Sequence, residues 1–317
     1  MLFLKDLPLK FLQHLRVTES ANNTNEGEKM KLLIDTDIGS DIDDALCLAY
    51  LLKQPLCEIV GITTCSSEPE KRAEIVDSIC RYSGREIPIY PGLSEPLVGK
   101  QLQVAVHQYD VTKSLPHKTN FPCNEAIDFM RRTIEANPHE IVLLPIGPLT
   151  NIGALFAAYP HLIPLVKEVS YMGGSFFEDG LSFLTSEWNI KNDPVAAKIL
   201  FDSKIKLTVS GLDVTLKLLT SCKEFLDTPC ADVLKPVKLY AQKFLERTND
   251  MYFHDALAAV LLFCDDICEY KYGSIDVDLG HEWGRTYFNE DKNGTTRVTH
   301  SINVEKFFKH YYDIINL

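Results

Sequence analysis

Leu32-Leu33-Ile34-Asp35-Thr36-Asp37-Ile38-Gly39-Ser40-Asp41-Ile42-Asp43-Asp44-Ala45-Leu46-Cys47-Leu48-Ala49-Tyr50-Leu51-Leu52 is the stretch from which the architecture can be read. Leu32 to Ile34 is a short apolar run ending in turn-forming residues, as a buried strand does. Ala45 to Leu52 is apolar almost throughout and reads as a largely buried helix. Asp43 and Asp44 then fall in that helix's first turn, where the peptide dipoles favour carboxylates.

The same alternation continues outward. Ile59 to Thr64 reads as the next strand, followed by a charged helix from about Glu70 to Tyr82. Further strands are expected at Ile141–Leu144, Val166–Met172 and Ile205–Val209, with helices at Glu125–Glu135 and Pro194–Phe201. Strands alternating with helices imply βαβ units and an α/β sheet covered on both faces. Ligands of such sheets bind beyond the carboxyl ends of the strands, where Asp35 to Asp44 lies.

Five carboxylates in ten residues need compensation. Two unit charges about 5 Å apart repel by roughly 3 kcal/mol at an effective dielectric of about 20. From Met30 to Lys53 the only basic residue before Lys53 is Lys31, so local ion pairs cannot supply the charge. A hard divalent cation with oxygen ligands can. The bland alternative is a solvated loop with helix-capping aspartates. An EF-hand loop starting at Asp35 fails, because its fifth, sixth and twelfth positions are Gly39, Ser40 and Leu46. A haloacid-dehalogenase-type phosphatase would use Asp35 as nucleophile and Asp37 as acid, but Gly39 departs from its pattern and Asp43-Asp44 has no role in it.

Composition bounds the rest. The 317 residues are 45% hydrophobic and 24% charged, an ordinary globular balance. A net charge of −12 argues against nucleic acid as a partner, since phosphate binding needs a basic face. The longest apolar run, Ala256 to Cys264, is far short of the roughly 20 residues that span a membrane. Nine cysteines without a CxxC pair look like free thiols of a reducing cytoplasm rather than zinc ligands. Residues 1–29 carry no core periodicity and read as a loosely docked extension, with Met30 an alternative start; residues 30–317 read as a single domain.

The acidic segment resembles the N-terminal DxDPGxDDA motif of the inosine-uridine-preferring nucleoside hydrolase family. Five further stretches match in order: Leu144-Pro145-Ile146-Gly147-Pro148-Leu149-Thr150-Asn151-Ile152, Met172-Gly173-Gly174, Glu187-Trp188-Asn189-Ile190-Lys191-Asn192-Asp193-Pro194-Val195-Ala196-Ala197, Gly211-Leu212-Asp213-Val214-Thr215 and His254-Asp255-Ala256. The resemblance implies a mixed, mostly parallel sheet flanked by helices, with a Rossmann-like core. It implies a calcium ion held by Asp37, Asp44, Asp255 and the Ile146 carbonyl, with Asp43 activating water. Glu187 and Asn189 would hold sugar hydroxyls, Trp188 would be either core or a platform for the base, and His254 would assist the departing base. The expected reaction is hydrolysis of a ribonucleoside to base and ribose by a homodimer or homotetramer. A calcium-dependent ribose-binding protein without catalysis is the other alternative.

The chemistry agrees with those roles. An N-ribosidic bond breaks through an oxocarbenium-like sugar, which nearby carboxylates stabilise. Calcium accepts 6–8 oxygens in loose geometry, and an adjacent carboxylate can take a proton from water. This chain also departs from the family. Ile38 replaces the motif's proline, and two extra residues precede the aspartate pair, so Asp41 competes with Asp43 as the base. Glu68 stands where an asparagine usual in the family would fall, Leu181 or a neighbour stands at another, and His107 is the candidate for a further histidine. Asp213 reads equally as a turn residue or a ligand.

Overall fold

The first strand, β1 (Met30–Thr36), takes residues alternately to two cores: Leu32 and Ile34 join one buried cluster and Leu33 the other. Successive side chains of a strand point to opposite faces, so a run apolar at every position means a sheet covered on both. A computed structural model of the chain describes residues 28–103, 105–177, 186–227, 229 and 231–317. The extension over 1–29 (apart from Glu28 and Lys29) and the Leu181 position lie outside the described residues.

After β1 come α1 (Asp43–Lys53), β2 (Cys57–Thr64), α2 (Pro69–Tyr82), β3 (Ile89–Pro91), α3 (Ala126–Ala136), β4 (Ile141–Pro145) and α4 (Thr150–Ala158). The second half runs β5 (Glu168–Met172), α5 (Trp188–Asn192), α6 (Pro194–Asp202), β6 (Leu207–Ser210), α7 (Leu212–Thr215) and β7 (Leu219–Ser221). It continues through α8 (Leu234–Leu245), β8 (Asp250–Tyr252), α9 (His254–Val260), β9 (Cys268–Val277), β10 (Thr286–Glu290), β11 (Thr296–Ile302) and α10 (Val304–Ile315).

Nine strands form one sheet in the order β10-β9-β11-β6-β5-β4-β1-β2-β3. Every pairing from β3 to β11 is parallel, and β9 runs antiparallel to both β10 and β11. The mixed, mostly parallel α/β sheet is therefore present. Its 3-2-1-4-5-6 core reverses direction of winding between β1 and β4, which opens a crevice beyond their carboxyl ends. Helices α1, α2, α8, α9 and α10 cover one face, and α3, α4 and α6 the other.

One helix keeps to its sequence pattern and one departs from it. From Asp43 to Leu52 every residue of α1 is buried, because α9, α10 and α8 enclose it against the sheet. α2 is not a solvated charged helix: Arg72 to Cys80 are all buried. Its charges are paired inward, with Glu74 accepting from Tyr109 (2.7 Å) and facing His117 (3.3 Å), and Asp77 accepting from the Lys118 N–H at 2.6 Å. The antiparallel β9–β11 extension carries few long apolar runs, since one strand face is exposed (Cys268–Val277 alternates in burial), and the βα alternation gives no sign of it.

Candidate active site

The crevice at the switch point is a cavity of about 480 Å³ lined by Asp37, Asp41, Asp43, Asp44, Ile146, Glu187, Trp188, Asn189, His254 and Asp255, among others. Four chain segments deliver these residues: the loop after β1, the turn after β4, the start of α5 and the start of α9. Asp43 and Asp44 occupy the first turn of α1, and Asp255 the first turn of α9. Because α1 and α9 pack together, oxygens of these three buried carboxylates lie within 4.8 Å of one another.

Two glycines make the approach possible. Gly39 has φ +110°, a left-handed conformation, and a Cβ there would sit 2.5 Å from both Ile75 and Val106. Gly147 lies against the Asp37 carboxylate, and a Cβ on it would fall 2.7 Å from Asp37 Oδ1.

Burial first, then mutual repulsion, pushes the Asp43, Asp44 and Asp255 carboxyls well above the usual carboxylate range. Burial also raises Asp37, opposed by the Arg72 guanidinium. The two arginines that reach the acidic loop bind its backbone: Arg72 donates to the Asp37 and Ile38 carbonyls, and Arg247 to that of Ser40 at 2.9 Å. The donor set is therefore hard oxygen and under-compensated, which suits a divalent cation. Asp43, Asp44 and Asp255 meet as a trio, while Asp37 faces the same cavity from the Gly147 side.

Ile146 receives β1's register, its N–H donating to the Asp35 carbonyl at 2.8 Å. Its own carbonyl accepts from Asn189 Nδ2 at 3.2 Å, and the same amide reaches the Met172 carbonyl at 3.2 Å. Asn189 is thus locked with its Nδ2 turned to backbone. Glu187 caps α5: its carboxylate accepts the N–H groups of Asn189 (2.7 Å), Ile190 (3.1 Å) and Gly174 (3.0 Å). Burial raises its pKa, and those three N–H groups pull it back down. Trp188 is 44% exposed and lines the cavity, so it is a wall of the pocket rather than core.

His254 stacks on Tyr252 with ring centres 4.9 Å apart, and its Nδ1 is 2.7 Å from Thr215 Oγ1. Enclosure by its surroundings pushes its pKa down to about 4, so the ring is neutral at pH 7. Asp213, in the short helix α7, accepts the Phe176 and Phe177 N–H groups at 2.8 Å and is absent from the cavity wall. Asp41 sits exposed at the mouth, with Oδ1 on the Ile42 N–H at 2.6 Å. Glu68 turns away, accepting from Lys71 and from the Val106 N–H at 3.3 Å. His107 does reach the cavity mouth.

Asp35 is fully buried, away from the cavity wall, and Oδ1 accepts from Thr63 Oγ1 (2.6 Å) and Asn151 Nδ2 (2.8 Å). Burial lifts its pKa to about 7. A nucleophile cannot work from there, which removes the phosphatase reading.

Sequence reading missed Gln103 and Arg247, which line the cavity, and Arg72, which binds the acidic loop. Gln103 and Arg247 lie in polar stretches without a distinguishing pattern. Arg72 did leave a signal: with Ile75, Val76 and Ile79 it shares one face at helical spacing, so a cation stands on the buried stripe of α2.

The model of the family described as "Inosine-uridine preferring nucleoside hydrolase" matches residues 32–309. Uridine nucleosidase 1 of Arabidopsis thaliana is 30% identical over 272 residues, covering 80% of this chain and 79% of that protein. The pyrimidine-specific ribonucleoside hydrolase RihB of Shigella flexneri is 26% identical over 307 residues, covering 89% of this chain and 95% of its own. Among solved structures, a purine-preferring ribonucleoside hydrolase from Gardnerella vaginalis superposes with a TM-score of 0.76 at 25% identity, covering 90% of this chain and 98% of that one.

Proposed function

Because the chain belongs to the inosine-uridine preferring nucleoside hydrolase family, it is an N-glycosyl hydrolase acting on ribonucleosides, and from that premise we propose that it does so with a calcium ion and Asp43 as general base. The observation that supports this most is the meeting of the buried Asp43, Asp44 and Asp255 carboxylates in a nucleoside-sized cavity. Asp37, Asp44, Asp255 and the Ile146 carbonyl are the residues we assign to the ion, all oxygen donors on the cavity wall. When bound, such an ion supplies positive charge that holds a sugar diol and acidifies the attacking water.

The chain's own groups do the rest. Asp43, with its raised pKa, takes the proton from water. Asp41, at the rim, is the second candidate for that role. Glu187, fixed by three N–H groups, faces the positive charge that develops on the ribosyl ring. Asn189 spends its Nδ2 on backbone, which leaves its Oδ1 for a sugar hydroxyl. Trp188 offers the base a flat apolar wall. We assign Thr215 as donor to Nδ1, so that the neutral His254 carries its hydrogen on Nε2 and donates it as a hydrogen bond to the departing base, without transferring the proton.

The relatives are named for different bases, so base choice rests on this chain's own rim. We place the chain in the cytoplasm, in keeping with its eight described cysteines all being free. Among the described residues no helix is long and apolar enough to cross a membrane. We further propose a homodimer or homotetramer whose catalytic domain is 30–317 preceded by an extension over 1–29, with neither nucleic acid nor membrane as partner.

The test is to incubate purified protein with calcium and a panel of ribonucleosides and their 2′-deoxy counterparts, following free base and sugar. Release from ribonucleosides that stops with chelator is expected. Saturable ribose binding with no base release would leave a binding protein instead.

A further inference from the structure

From Asp37 to Asp41 five consecutive backbone carbonyls of the acidic loop accept hydrogen bonds from donors outside the loop. Arg72 Nη1 serves Asp37 and Ile38, the latter at 2.9 Å. Gln108 serves two more, its N–H donating to Gly39 at 3.0 Å and its Nε2 to Asp41 at 2.8 Å. Arg247 serves Ser40 at 2.9 Å. The next carbonyl, Ile42, accepts the Leu46 N–H of α1 at 3.1 Å.

Arg72 is the centre of this arrangement. It is 0% exposed, and besides the loop carbonyls it donates to Ser40 Oγ (3.2 Å) and, from Nε, to the Ser67 carbonyl (2.8 Å). A buried guanidinium bound only to neutral oxygens is costly unless negative charge lies close by. That charge is across the peptide chain, on the carboxylates of Asp37 and Asp44, with which it interacts favourably. Each of these peptides is thus fixed by a donor from outside the loop. The side chains of Asp37, Asp43 and Asp44 are left as the loop's inward-facing acceptors. Gln108, 1% exposed, grips the two-residue insertion from the other side.

Resting on the proposed function above, we propose that Arg72 is a positioning residue, with Gln108 its second arm: a clamp on the loop carbonyls that holds the acidic loop in cation-binding shape. Without Arg72 Nη1, the Asp37 and Ile38 carbonyls lose their donor, the peptides are free to rotate, and the Asp37 carboxylate loses its place against Gly147.

The test is a calcium titration by calorimetry of the wild type, Arg72→Lys and Gln108→Leu, alongside activity against a cleaved ribonucleoside at rising calcium. Temperatures stay well below each ion-free variant's melting point. Outer-shell partners of a metal are worth about 10- to 100-fold in affinity, so a loss of that size is expected in Arg72→Lys, with activity returning as calcium is raised. Gln108→Leu should move in the same direction and reads the clamp even if the arginine variant fails to fold. Unchanged calcium affinity in the folded variants overturns the proposal. A wild type that binds no calcium overturns the functional reading instead, which keeps the two failures apart.

Discussion

A carboxylate that must accept a proton from water works best when its pKa is raised without its being neutralised by an ion pair. Asp43 meets that condition through burial and through its neighbours Asp41, Asp44 and Asp37. Replacing it by asparagine should lower turnover by about 10²- to 10⁴-fold while calcium still binds, whereas Asp37→Asn should lose the ion. Calorimetry on both variants separates the roles, and the reverse pattern would put Asp43 on the ion and Asp37 on the water. This is the point at which sequence reading is least decisive. The insertion leaves Asp41 and Asp43 both available in one dimension, and only the start of α1 separates a rim carboxylate from a cavity one. The loss of the family's asparagine at Glu68 is legible from the residues, yet the way Glu68 turns to Lys71 and Val106 depends on a left-handed φ of 54° that nothing nearby in the chain announces.

At the scale of elements, the loops are tied by single polar residues that each serve several segments. Asp193 caps α6 through the Ala196 N–H (3.0 Å) and also accepts from the Leu97 N–H (2.7 Å) and Thr150 Oγ1 (2.8 Å), joining β3's exit, α4 and α6. Asp193→Ala should cost about 2–4 kcal/mol in denaturant unfolding, more than a cap alone. α10 is docked on α1 through His310 Nε2 and Tyr50 Oη, 2.9 Å apart. Burial lowers the His310 pKa below its ordinary value. The unfolded chain therefore takes up that proton first, and stability falls as pH drops through about 6.5 toward the folded pKa. His310→Gln should flatten that part of the melting-temperature profile relative to wild type; identical profiles would exclude it. The βα alternation was readable because parallel strands buried on both faces are apolar throughout. The burial of Glu74 and Asp77 in α2 was not, because those charges find partners only in the folded chain.

For the molecule as a whole, calcium removal is the broadest expectation. Ligands of the native state stabilise it by about 4 kcal/mol at a thousandfold excess over the dissociation constant, so chelator should lower the melting temperature as well as abolish activity. Equal melting curves with and without chelator would argue against a bound ion. The strand order adds a temporal consequence. Asp43 and Asp255 are separated by more than half the chain, and they meet only when α9, laid down after β6, packs beside α1. Closing a loop of that length costs entropy before its contacts repay it, so the like charges are expected to gather late in folding. The folding stage at which α9 docks on α1 should therefore be the one sensitive to acidity and, on the function proposed above, to calcium: a cation there would join the first helix to one made in the last third of the chain.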